Sequence, residues 1–445
     1  MLPPAQRLPP ELLFPIASDL FAPPSSEWTG RADLVAFGRV CKAWNAVAES
    51  LLYRDVRVQR EDWSSHRLDK LTDALEGRPE LGQHVRRLEI AAEDCSTAAV
   101  RILALVPNLR ALHFRGHDCE GGFHSLQRSA PPGSGQWRDF LSGLTGGLFG
   151  GRRSSGQRNE PPTRGSCQVP VTTALDALAH MPAVGDLEEL ALDFSSATKQ
   201  TVGVDSFFRL FRLASSLQTL SLSIPSDLPS LNFAAIIAPT PLQLRELSLD
   251  IPHSQLRTSS RCRTVEKLFL SAFDFSTLVS FRTSISADDP VLHQHLLATR
   301  NLTHLSVLSS TASWRTPIGL PAPEILAAFA AVAPSLTSLR ALTFTTDDAV
   351  NGYEPAAFPS PSATARLLDS LPPSLERLEL PLFFVEGMAD PVLARLLRRD
   401  GKTALQQVRM FKTQTPWGWE WGQYDRVEEK GDRVKVYGWQ ETLLK

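Results

Sequence analysis

One six-residue pattern recurs down most of this chain, and it restricts the fold more than any other feature. Written L-x-x-L-x-L with conservative exchanges, it appears as VRRLEI at 85–90, LRALHF at 109–114, LEELAL at 187–192, LQTLSL at 217–222 and LRELSL at 244–249. It continues as VEKLFL at 265–270, LTHLSV at 302–307, LRALTF at 339–344, LERLEL at 375–380 and a weaker LQQVRM at 405–410. The last two apolar positions lie two residues apart, so they face one side of a short strand. Before most copies runs a segment with helical spacing, such as STAAVRILALVPN, DSFFRLFRLASS or SATARLLDSLPPS. These segments open on Ser, Thr, Asp or Pro, which suit a helix cap or first turn. Several end at a proline (Pro107, Pro182, Pro334, Pro372), where a helix must stop. The predicted unit is helix, tight loop, strand.

A lone unit has nothing against which to bury its leucines, so the units must stack into a curved solenoid with parallel strands inside and helices outside. A doubly wound α/β sheet also alternates helix and strand. Its strands would be continuous apolar runs, whereas these alternate, and no glycine-rich phosphate loop follows any of them. The pattern resembles the leucine-rich-repeat family over roughly 80–415. The copies start between 21 and 37 residues apart outside the one long insertion, so the period is irregular.

That insertion, 116–170, holds nearly half of the 26 glycines together with APPGSG, GGLFGGRRSSG and NEPPTRGS. Such a composition buries too little surface to offset its ordering entropy, and a disordered loop is expected. The final stretch, 417–445, departs from the repeat. Its aromatics, Trp417, Trp419 and Trp421 among them, and two alternating runs around KGD predict a hairpin that caps the array.

The N-terminus poses a separate question, because LPPELLFPIASDL at 8–20 is strongly apolar. It does not read as a signal peptide. Only Arg7 precedes it, Pro15 and Asp19 interrupt it, and no small-residue cleavage site follows. After a polar loop at 22–32, the segment 33–58 places Leu34, Phe37, Val40, Cys41, Trp44 and Val47 at helical spacing, with Asp33 positioned as N-cap. The order LPPELL, Ile16, Leu20, then VCKAW, then LLYRDVRV resembles the F-box. Together with the repeats, the chain is similar to fungal-type F-box/leucine-rich-repeat substrate receptors.

The resemblance implies a small helical domain over 5–60 that binds the Skp-type adaptor of an SCF ubiquitin ligase and, through it, a cullin. The matching positions are Leu8, Pro9, Glu11, Leu12, Ile16 and Leu20 in the first segment and Val40, Cys41 and Trp44 in the second. An apolar helix in a partner's groove accords with this. The loop at 22–32 is longer than the family pattern. The alternative is a ligase-independent scaffold whose N-terminal helices only cap the array.

Chemistry is sparse elsewhere. GRRSSGQ at 151–157 lacks the Lys-Ser/Thr ending of a P-loop, and no G-x-S-x-G, H-E-x-x-H or paired C-x-x-C occurs. His113, His117, Asp118 and Cys119 lie close together, but Cys119 begins the insertion; the HQH at 293–295 splits its histidines across a helix. No enzyme, cofactor or metal is expected. Five scattered cysteines read as reduced thiols, placing the chain in the cytoplasm or nucleus. A net charge of −2 gives no general attraction to nucleic acid or anionic membrane.

Function is then expected on the strand face of a solenoid spanning 61–416. The outward positions include Glu189, Asp193, Ser221, Glu246, Asp250, Lys267 and His304, with Phe269 as the large apolar side chain among them. That polar, centrally acidic face suits a basic or hydroxyl-rich protein target better than nucleic acid.

Overall fold

The structure is a computed structural model that describes residues 8–21, 27–58, 66–92, 97–116, 171–194, 204–224, 241–251, 269–287, 289–310, 322–346, 361–381, 405, 407–415, 418–426 and 434–440. Residues 117–170 of the insertion, the helix-period segment DPVLARLLRRDGKT at 390–403 and Trp417 lie outside these residues. The chain forms two compact units, Met1–Leu109 with Phe114–Ala183, and Arg110–His113 with Val184–Lys445. No described helix is long and apolar enough to cross a membrane.

The first unit begins with three helices, α1 (Pro10–Phe21), α2 (Glu27–Gly38) and α3 (Lys42–Leu52). Leu13 and Ala17, one turn apart on α1, meet Leu34 and Phe37 of α2 and Ala48 and Leu51 of α3 in a single core. Trp44 packs at its margin, stacked on Phe37 with ring centroids 4.3 Å apart. Two expectations fail here. The supposed loop at 22–32 is helical from Glu27 onward, and Asp33 lies inside α2 with its side chain exposed rather than at its N-cap. Gly30 does not stop the helix, because one glycine costs only about 1 kcal/mol, less than the burial of Leu34 and Phe37 returns.

The chain leaves α3 directly into β1 (Asp55–Val58), continues through α4 (His66–Gly77) and α5 (Pro79–Gly82) to β2 (Arg87–Ala92), and then α6 (Thr97–Leu105). A further helix, α7 (Val171–His180), belongs to the same unit. β1 and β2 pair in parallel with Val56 opposite Leu88 and Val58 opposite Ile90.

β3 (Ala111–Gly116) lends its first residues to the second unit, which otherwise repeats the predicted motif. Its strands are β4 (Glu189–Asp193), β5 (Thr219–Ser223), β6 (Glu246–Asp250), β7 (Ser280–Ser286), β8 (His304–Ser310), β9 (Ala341–Thr346), β10 (Arg377–Pro381) and β11 (Gln407–Thr415). Each pairs in parallel with the next, making an open sheet. Helices α8 (Val204–Leu213), α9 (Pro290–Leu297), α10 (Ala322–Val332) and α11 (Pro361–Ser370) precede β5, β8, β9 and β10. The apolar positions stack in rows: Leu190, Leu220, Leu247, Phe281, Leu305, Leu342 and Leu378 are opposite one another and buried.

The entry to each strand is fixed by the backbone. One carbonyl accepts two successive N–H groups of the next repeat: Glu188 from Gln218 and Thr219, Gln218 from Arg245 and Glu246, Arg245 from Val279 and Ser280. Val279, Thr303 and Arg340 continue the series. Two antiparallel strands, β12 (Gly418–Arg426) and β13 (Val434–Gln440), follow β11, and the turn between them lies outside the described residues.

One copy was misread. In VEKLFL at 265–270 the described residues, Phe269 and Leu270, are helical, and 265–268 lie outside the described residues. The strand of that repeat is β7, entered at Leu278, with Phe281 and Thr283 in the core positions that leucine fills elsewhere. Phe269 therefore does not face solvent. It is fully buried, with ring centroids 5.7 Å from Phe207 and 5.8 Å from Phe208.

α9 contains a half-buried histidine, His295, whose ring lies 4.7 Å from that of Phe275. Burial disfavours its charged form and lowers its pKa below 6.5. Above about pH 6.5 the side chain is neutral in both folded and unfolded chains. As pH falls through that value the unfolded chain takes up the proton first, so stability declines until the lowered folded pKa is reached. Unfolding measured at pH 7.5 and 5.5 should show a smaller loss in His295→Gln than in the native sequence; equal losses would show that His295 does not contribute.

Candidate partner-docking site

The helices of the first unit leave an apolar face uncovered. Leu13 and Ala17 point inward, so Leu12 and Ile16, offset by one position on α1, point outward; they are 50% and 41% exposed. Leu8 and Pro9 precede them and are also exposed. The Leu12 amide donates to the Pro9 carbonyl at 3.0 Å, which closes the first turn. Val40 is exposed in the short α2–α3 connection, and Cys41 is half-buried at the extended N-cap of α3. Trp44 faces mainly the domain's own core, as its stacking on Phe37 requires. Glu11 and Leu20 lie in α1, with side chains outside the described ones.

Two exposed residues were missed by sequence reasoning, Phe14 on α1 and Val35 on α2, at 46% and 42% exposure. The signal for Phe14 was available. Once Leu13 and Ala17 are taken as the buried pair, position 14 lies away from both Leu12 and the core on a 3.6-residue helix. Six of the eight large hydrophobic side chains exposed among the described residues fall between Leu8 and Val40, so exposed apolar side chains concentrate in this segment.

Residues 5–59 match the F-box-like family model. This segment is an F-box-like domain. F-box domains generally bind Skp-type adaptors, and the exposed face of α1 lies within the match. No match to the chain was found among curated proteins. The matched segment of the F-box-like domain ends just after β1, so it includes the first described strand of the chain.

Glu49 of α3 also joins a charged clamp with two residues beyond the matched segment. The Arg78 guanidinium donates to both Glu49 carboxylate oxygens at 2.8 Å and to Glu80 at 2.9 Å. The hydrogen bonds from Arg78 hold the Glu49 and Glu80 carboxyls below the usual carboxylate value and raise the Arg78 pKa.

The outward strand face of the second unit is the other candidate. Register brings Glu189, Thr219 and Glu246 into one row, Ala191, Ser221 and Ser248 into the next, and Asp193, Ser223 and Asp250 into a third. Glu246, Asp250 and His304 are exposed, while Glu189, Asp193 and Ser221 are half-buried. His113 and Glu189 approach to 2.5 Å between Nε2 and Oε1, and Ser223 donates to Asp250 at 3.1 Å. Strands β4 to β6 present four carboxylates and no lysine or arginine. Lys267 lies outside the described residues, and Phe269 is removed from this face by its burial.

Proposed function

We propose that the chain is a non-catalytic substrate receptor of an SCF-type ubiquitin ligase, acting in the cytoplasm or nucleus. The F-box-like domain docks on a Skp-type adaptor and so on a cullin, and a leucine-rich-repeat-like solenoid presents a protein target. The observation that carries this reading is the exposed apolar stripe of Leu8, Leu12, Ile16 and Val40 inside the segment that matches the F-box-like model. A stripe of this kind is costly to leave in water and becomes favourable when a partner groove covers it. The direct test is capture of a purified Skp-type adaptor by the full chain. Failure of the chain to bind any such adaptor sinks the proposal.

The target side is assigned to the outward faces of β4 to β6. Parallel strands spaced about 4.8 Å apart make a fixed platform, and its four carboxylates favour a basic segment of the target. Charge reversal at Glu189, Asp193, Glu246 and Asp250 together should weaken target capture while leaving adaptor capture intact. Unchanged target capture would move the binding surface elsewhere on the chain.

A further inference from the structure

We infer that the F-box-like domain and the first strand pair of the chain open and close as one cooperative unit, so that a partner seated on α1 and α2 also stabilises β2. The first arm of the test rests on the adaptor reading above; the second does not.

Continuity of the backbone is the first observation. α3 ends at Leu52, Tyr53 caps it, and β1 starts at Asp55, which leaves no linker to act as a hinge. Leu51, in the last turn of α3, is 2% exposed and belongs to the same core as Leu13 and Leu34. Three residues later the Arg54 carbonyl accepts from both Arg86 and Arg87 amides at 2.9 Å, and β1 and β2 pair along four residues. Separating β1 from β2 would expose that edge of β2 to water and lose those two hydrogen bonds together with the four-residue pairing.

The second observation is that the contacts continue beyond β2. Arg78, just before α5, holds Glu49 of α3 in a two-pronged ion pair. This pair is half-exposed and orients the elements more than it stabilises them. Gly82 at the end of α5 is pressed against the chain that follows: a Cβ there would lie 2.0 Å from the Leu105 carbonyl oxygen. The Asn108 side chain donates to the Gln83 carbonyl at 2.9 Å, and Arg101 of α6 pairs with Glu76 of α4. The compact unit that contains the three helices accordingly takes in all of Met1–Leu109, with Phe114–Ala183, rather than ending near residue 59.

Linkage then gives a measurable consequence. A ligand that binds the closed form and not the open form slows every exchange event that requires that opening by 1 + [L]/Kd, about a hundredfold at 100 Kd. Amide hydrogen exchange should be followed in the full chain with and without a purified Skp-type adaptor. The Arg86 and Arg87 amides should slow by about the same factor as those of α3, at least tenfold. Adaptor bound with slowing confined to 10–54 would overturn the inference, whereas no adaptor binding at all would count against the adaptor reading alone. The second arm needs no partner. Leu13→Ala, a cavity in the helical core, should speed exchange at Arg86 and Arg87 by the same factor as in α3, and acceleration restricted to α1–α3 would overturn the inference.

Discussion

Replacing Phe269 with alanine is expected to cost about 3–5 kcal/mol of unfolding free energy, the usual range for truncating a fully buried aromatic side chain. The ring sits in a cluster with Phe207 and Phe208, and Phe211 extends the cluster to Phe273 at 5.8 Å. Phe207 and Phe208 are both carried by α8, so the site cannot collapse around the missing ring without moving that helix. Had Phe269 stood on the outward face of a strand, the same substitution would stay within about 0.5 kcal/mol. Denaturant titration of the variant and the native chain separates the two cases, and a change below about 1 kcal/mol would contradict the packing described here.

The exposed apolar side chains of α1 give the second large effect, with the opposite signature. Alanine at Leu12 or at Ile16 alone should weaken adaptor binding by about twentyfold or more, ~2 kcal/mol for each central anchor lost, and the two together, with or without Leu8 and Pro9, should weaken it further. Stability should change by no more than about 0.5 kcal/mol, because these side chains are already exposed in the free chain. Leu13→Ala, one residue away, should behave as a core cavity and cost about 2–5 kcal/mol of stability. Parallel measurement of adaptor affinity and thermal unfolding reads both. If Leu12→Ala and Ile16→Ala left adaptor affinity unchanged, the stripe would not be the docking surface. If no adaptor bound at all, the helices would be left as a cap on the strands that follow.

The alternation of Leu with polar residues announced the strands because each strand has one face in the core, and period two is the only spacing that serves such a face. Nine of the ten copies, all but VEKLFL, coincide with the start of a strand for this reason. The failure at VEKLFL has a specific cause. Val265, Leu268 and Leu270 satisfy the pattern by composition, while the true strand hides behind Phe281 and Thr283. Thr283 is only 2% exposed and its hydroxyl takes the Ile285 amide at 3.0 Å, so a polar residue meets a core position by bonding to its own backbone. A search for leucines does not see that substitution. The start of α2 was hidden in the same way, since Gly30 and the prolines before it read as a loop until Leu34 and Phe37 were seen packed on α1. The apolar residues of α1 were legible as a set; which of them face outward was not, because Leu12 and Leu13 differ only in their angle around the helix axis.

The shared carbonyl that receives two amides at the mouth of each strand has a consequence for how such a chain can change over time. Alignment of neighbouring repeats is set there by peptide groups that every residue except proline carries. A repeat can therefore lengthen or shorten its outer connection, or exchange Leu for Phe or Thr, without slipping against its neighbour. Mutational drift is filtered only for burial at a few positions per repeat and for the absence of proline at the two donor sites. A chain built on this ladder can keep its geometry while its letters vary widely.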